Sequence, residues 1–184
     1  MGASKWPFGY IDLLLSLTSL LFSMLFFVLL SVNPKAKTAE DSTKPPGQMM
    51  VCIYWQGHND VDLWFRPPGQ DKATGYSNKS DVVADLVRDD LGTDNVPHFE
   101  CQFARSLPDG RFVANIHGYA ITEPEVTVHA EIRISGANGF ELLLQRDLTL
   151  KQKQERTIAQ FRLVDGEVVP GSENEVYEPL RSAK

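Results

Sequence analysis

The chain has 184 residues, 18 Lys and Arg against 24 Asp and Glu, a formal net charge of −6 and 42% hydrophobic residues. That length allows one ordinary domain and an appendage, and a slightly polar mean hydropathy confines the greasy sequence to one stretch, which excludes a polytopic membrane protein. An acidic excess repels phosphate backbones, and no basic patch with interleaved aromatics is present, so the sequence argues against nucleic-acid binding.

A short tail, residues 1–9, precedes an apolar segment over 10–32. From Leu13 to Val32 no residue is charged, and twenty residues at about 1.5 Å each cover a hydrocarbon core of about 30 Å. The run exceeds the roughly 7–15 apolar residues of a signal peptide, and "NPKAKTA" offers no A-x-A site, which predicts an uncleaved single-pass anchor in a lipid bilayer. Trp6 and Tyr10 suit the headgroup level. Helical spacing puts Asp12, Ser16, Ser19 and Ser23 on one narrow seam, with Thr18 a further hydroxyl in the same helix. An ionised Asp costs about 2.5–3.5 kcal/mol at a helix centre and less near an end. Asp12 therefore has two readings: an end residue favoured by the helix dipole, with serines packing on a neighbour, or a proton or sodium carrier on a hydrated path.

Residues 33–48, rich in Lys, Thr, Ser and Pro, read as a flexible linker. Residues 49–169 alternate with period two: Val126, Val128, Ala130, Ile132 and Ile134 face one way, Thr127, His129, Glu131 and Arg133 the other. "DVDLWF", "HFECQF", "RFVANIHGY", "FELLLQ" and "TIAQFRLV" repeat the pattern, and "PPG", "LPDG", "SGANG" and "VDGE" punctuate it, predicting an antiparallel β-sandwich. "SDVVADLVRDDLG" fits either a short capped helix or a strand with an acidic loop. Residues 170–184 read as a polar tail. The expected fold is a single N-terminal transmembrane helix plus an all-β antiparallel sandwich domain.

Cys52 and Cys101 both lie in predicted strands, and the sequence leaves open whether they pair. Asp60, Asp62, Asp89, Asp90 and Asp94 are candidates for a Ca²⁺ site, although Leu63 and Trp64 break the EF-hand order and a solvated acidic loop is the simpler reading. His58, His98, His117 and His129 are dispersed, with His117 and His129 expected on polar, solvent-facing strand faces. Trp55 and Trp64 suit core packing better than an aromatic binding shelf. No hydroxyl, histidine and acid pattern marks a nucleophile, so the chain is not expected to be an enzyme.

The stretch "GYIDLLLSLTSLLFSMLFFVLLSV" resembles the single transmembrane helix of the MotB, ExbD and TolR class of ion-driven motor subunits. The resemblance implies that Asp12 carries the coupling proton or sodium ion, that Ser16, Thr18 or Ser19 assists, and that no other cofactor is needed. It also implies a homodimer inside a pentamer of multi-spanning MotA, ExbB or TolQ-like subunits in a bacterial inner membrane. The N-terminus would be cytoplasmic and the outer domain periplasmic, facing a partner that the sequence does not name. Lys35, Lys37 and Lys44 after the helix outnumber Lys5 before it, so the positive-inside count points the other way, and the resemblance sets the expected orientation. The outer domain departs from that class. Its "DVDLWFRPPGQ", "GYSNKS", "LVRDDLG" and "GRFVANIHGYA" are similar to the bacterial β-sandwich domain typified by YfaP, which implies a fold rather than a task.

Overall fold

A computed structural model describes residues 8–32, 47–93, 97–136 and 138–181. The chain divides into two compact units, Met1–Thr43 and Lys44–Lys184. Within the first, α1 runs from Phe8 to Val32. Side chains from Gly9 to Val28 are exposed, and this stretch is long and apolar enough to cross a membrane. Its seven Leu, three Phe, one Ile and one Val favour insertion by about 0.3–0.6 kcal/mol each, roughly 5 kcal/mol together, which exceeds the penalty of one Asp even at mid-bilayer. The linker over 33–46 and the leading residues 1–7, with Trp6, lie outside the described residues.

Among the described residues of the second unit, nine strands form two antiparallel sheets. They are β1 (Met49–Trp55), β2 (Asp60–Arg66), β3 (Ala84–Arg88), β4 (His98–Ala104), β5 (Gly110–Ala120), β6 (Val126–Gly136), β7 (Gly139–Leu150), β8 (Glu155–Val164) and β9 (Glu167–Val168). One sheet is ordered β3-β4-β1-β6-β7 and the other β2-β5-β8-β9. The alternation read from β6 places Val128, Ala130 and Ile132 in the core with Ile53, Leu63, Phe65, Phe112 and Ile158 from both sheets. The ambiguous segment is a strand: the Asp81 carboxylate accepts from the amides of Val83 and Ala84, each at 2.6 Å, and fixes the entry to β3. Asp165 and Gly166, with φ of 52° and 80°, make the two-residue turn joining β8 to β9, a conformation whose twist matches that of the paired strands.

Cys52 and Cys101 are directly opposed in the β1–β4 ladder and form a disulfide, with Cα atoms 4.2 Å apart. This is the closer kind of antiparallel pair, where side chains project side by side. The inner face of β4 is unusual. His98, Glu100, Gln102 and Ala104 point inward, while Phe99, Cys101 and Phe103 are half-buried on the outside. The polar inward row has a job at the free edge of β2. Glu100 accepts from the Leu63 amide at 2.8 Å, Gln102 Nε2 donates to the Leu63 carbonyl at 2.7 Å, and Thr74 exchanges backbone bonds with Phe65. The Glu100 and Gln102 side chains and the Thr74 backbone thus satisfy β2 backbone groups that its edge would otherwise leave unpaired.

The segment read as a polar tail is a strap across the outer face of the second sheet. Asn174 bridges to Gln160, Glu178 pairs with Arg66 and Arg111, and Leu180 packs with Trp64, Ala73 and Val113. Its hold is chiefly polar: Glu155 Oε1 accepts from the amide of Leu180 at 2.9 Å, and Asn115 donates to the Glu178 carbonyl at 2.7 Å. A segment anchored this way has no hydrophobic period to betray it.

Candidate functional site

Two groups of residues carry chemistry. The first is the seam of α1. Among the described residues α1 covers Phe8–Val32, and Asp12 is the fifth of them. At about 100° per residue, Asp12, Ser16, Ser19 and Ser23 fall within an arc of about 60°, and the seam rises roughly 16 Å along the axis. Thr18 lies elsewhere on the helix, and its hydroxyl donates to the Leu15 carbonyl at 2.9 Å, so it is committed to its own backbone.

The second group lies at the open edge of β2. A cavity of about 180 Å³ is lined by Asp60, Asp62, Asp89, Tyr76, Tyr119 and Leu91. Asp60 and Asp62 come from one face of β2, Asp89 from the loop after β3, and Tyr119 from β5. Asp62, Asp89 and Glu100 each bring an oxygen within 4.8 Å of the others. Burial pushes Asp60 up to about 6, helped by the charges of Asp62 and Asp89. Burial likewise pushes Glu100 up to about 9, against the pull of the Leu63 and Asp90 amides that donate to it. Asp62 is raised by the same burial, opposed by its hydrogen bond from His117.

His117 is buried at 1% exposure, not solvent-facing as its strand alternation predicts. Arg181, at the end of the strap, donates from Nη1 to His117 Nε2 at 2.6 Å. The ring must then carry its proton on Nδ1 and donate to Asp62 Oδ2 at 2.9 Å. An Arg181–His117–Asp62 chain thus fixes one oxygen of the cavity floor. His129 does sit at the surface, between Asp147 at 2.7 Å and Glu131 at 3.3 Å, and its pKa is raised chiefly by the Asp147 hydrogen bond.

Comparison with known protein families, with curated proteins and with solved structures returns no match.

Of the five acids named as Ca²⁺ candidates, with a solvated loop as the simpler reading, Asp60, Asp62 and Asp89 line one cavity and Asp90 is engaged elsewhere. Asp90 Oδ1 accepts from the Gly92 amide at 3.0 Å and faces His98 Nδ1 at 3.2 Å, and Oδ2 pairs with Arg88 at 2.8 Å. Burial works against its charge, yet the Gly92 amide, His98, the Phe99 amide and Arg88 together hold its carboxyl below the usual range. It fastens the loop and is not free to bind a ligand. Asp94 lies outside the described residues. Glu100 escaped the sequence reading because it sits in a strand between Phe99 and Cys101, where a lone acid looks solvent-facing. Trp55 and Trp64 are both core residues at 2% and 3% exposure. The exposed aromatics of the cavity are instead Tyr76 and Tyr119, with ring centroids 6.1 Å apart.

Proposed function

We propose that this chain is the single-span subunit of an ion-driven membrane motor, in which Asp12 takes up and releases a proton or sodium ion and the outer β-sandwich transmits the resulting motion. The observation that carries the reading is one carboxylate, Asp12, in an otherwise uncharged membrane-length helix, on the same seam as three serines. An intramembrane acid is rare unless it serves a path for ions. Each charge crossing gains about 2.3 kcal/mol per 100 mV, enough to bias a cycle of helix contacts.

In this reading two copies of α1 sit inside a ring of five multi-spanning subunits in a bacterial inner membrane. The N-terminus is cytoplasmic and the disulfide-bonded domain stands in the oxidising periplasm. The partner class follows from the resemblance of the helix to MotB, ExbD and TolR. The test is Asp12→Asn, co-produced with the multi-spanning partner, with ion flux measured in energised vesicles. Asn keeps the size and cannot release a proton. Flux should be abolished, and Asp12→Glu should restore part of it; undiminished flux in Asp12→Asn overturns the proposal.

A second reading is a binding module on a passive anchor, favoured by the acidic cavity at the β2 edge. Replacing the whole helix with an unrelated membrane span separates the two. Function survives the exchange for a passive anchor and is lost for a motor.

A further inference from the structure

His117 is held between two partners of opposite charge, and only one protonation state of the ring suits both. Arg181 donates to Nε2 at 2.6 Å, and Nδ1 lies 2.9 Å from Asp62 Oδ2. A guanidinium keeps its protons and has nothing to accept with, so this bond needs a bare lone pair on Nε2, which an imidazolium lacks. A proton on Nε2 would set two cations at hydrogen-bond distance with no acceptor between them. The bond to Asp62 survives protonation, since Nδ1 donates in both forms. Contact with Arg181 and a second proton on the ring therefore exclude each other.

Arg181 is the last described residue of the strap. Glu178 is tied down by Arg66, Arg111 and Asn115, and Pro179 has no amide to donate. Beyond it, the amides of Leu180 and Arg181 reach Glu155 Oε1 at 2.9 and 3.3 Å, and the Leu180 side chain sits on Trp64, Ala73 and Val113. We propose that His117 is an acid-operated catch: the neutral ring holds Arg181, and protonation releases residues 179–181 from the outer face of the sheet. Histidine is the side chain that changes charge between pH 5 and 8. The ring is buried under the end it holds, so the proton enters when that end lifts and then keeps it from closing. The groups facing the ring are Asp60 and Asp62 from β2, Glu155 opposite it on β8, Tyr119 from β5 with Lys153 over its ring, and Arg181. Once Arg181 has left, the carboxylates favour the charged ring. Release draws Leu180 off Trp64 and uncovers apolar surface. One proton is linked to opening, so the open fraction rises by up to about tenfold for each pH unit of acidification.

The catch lies within the outer unit and is independent of the ion carried by Asp12; failure of one leaves the other standing. Amide exchange at Leu180 and Arg181 is followed in the full-length chain in detergent between pH 7.5 and 5.5, corrected for the intrinsic pH dependence of exchange. Protection in wild type should fall by about tenfold or more as the pH drops, with the strands of the core unchanged. His117→Gln offers an acceptor to Arg181 and a donor to Asp62 but takes up no proton, so its protection should stay constant. Arg181→Met keeps an apolar stem and loses the donor, and should be as unprotected at pH 7.5 as wild type is at pH 5.5. Near-ultraviolet circular dichroism shows that each variant is folded at both pH values. Constant protection in wild type overturns the inference. So does an equal fall in folded His117→Gln, which assigns the response to Asp60, a carboxyl that burial pushes up to about 6. A fall in Arg181→Met as large as that of wild type also overturns it, because the response then does not pass through the Arg181 contact.

Discussion

Replacing Cys52 and Cys101 together with alanine removes the only covalent link between β1 and β4. The bond closes a stretch of 49 residues, and that stretch contains β2, β3, Asp60, Asp62 and Asp89. Freed, the unfolded chain regains loop entropy worth about 4 kcal/mol at 25 °C on the chain-entropy model, with native bonds in small domains usually delivering about 2–5 kcal/mol. The unit over Lys44–Lys184 falls in the size range where 1 kcal/mol moves Tm by about 3–4 °C, so the expected loss is about 10–15 °C. Thermal unfolding of the full-length chain in detergent, followed by near-ultraviolet circular dichroism, reads the effect. The unreduced wild type should also resist maleimide labelling after denaturation. A double variant melting within about 3 °C of wild type refutes the reasoning, because the bond would then not be constraining the unfolded chain.

Glu100 gives the outer domain a signed pH dependence. Its folded pKa of about 9 stands above its ordinary 4.5, so the folded state holds an extra proton and stability falls as pH rises between the two values, by at most about 1.4 kcal/mol per pH unit. Wild type should lose more stability than Glu100→Gln between pH 6 and pH 8, and parallel denaturation curves contradict this. Two glycines separate crowding from backbone strain. Gly92 and Gly69 have φ of 70° and 74°, but an added Cβ collides with the Asn59 carbonyl oxygen in the first and meets open space in the second. Gly92→Ala should cost about 2–4 kcal/mol and Gly69→Ala about 1 kcal/mol by chemical denaturation. Leu180→Ala, which empties the pocket shared with Trp64 and Val113, should cost about 2–3 kcal/mol and loosen the strap, visible as faster amide exchange at Glu178 and Leu180.

The two-layer architecture was legible because period-two alternation reports burial directly, and β6 carries it without interruption from Val126 to Ile132. The same rule misleads on β4. Phe99 and Phe103 look like core residues, yet the inner row is His98, Glu100 and Gln102, because the neighbouring edge of β2 needs polar partners more than that position needs apolar volume. Only the pairing of sheets reveals such a demand. Asp60, Asp62 and Asp89 were legible as acids, whereas their convergence with Glu100 spans 37 residues between Leu63 and its acceptor. The strap was illegible for a related reason: Glu178, Leu180 and Arg181 bind through partners far away in sequence. The seam of α1 was readable, since helical spacing alone determines which residues share a face. His117 shows the limit of a face assignment, because the outer face of β5 is polar in sequence but roofed by the strap.

Electron cryo-microscopy of the complex purified from its native membrane tests the central claim most directly. The account predicts two copies of the Phe8–Val32 helix enclosed by five multi-spanning subunits, with Asp12 turned toward the surrounding helices. A solitary helix in lipid, with no ring around it, contradicts the motor and leaves a tethered sandwich.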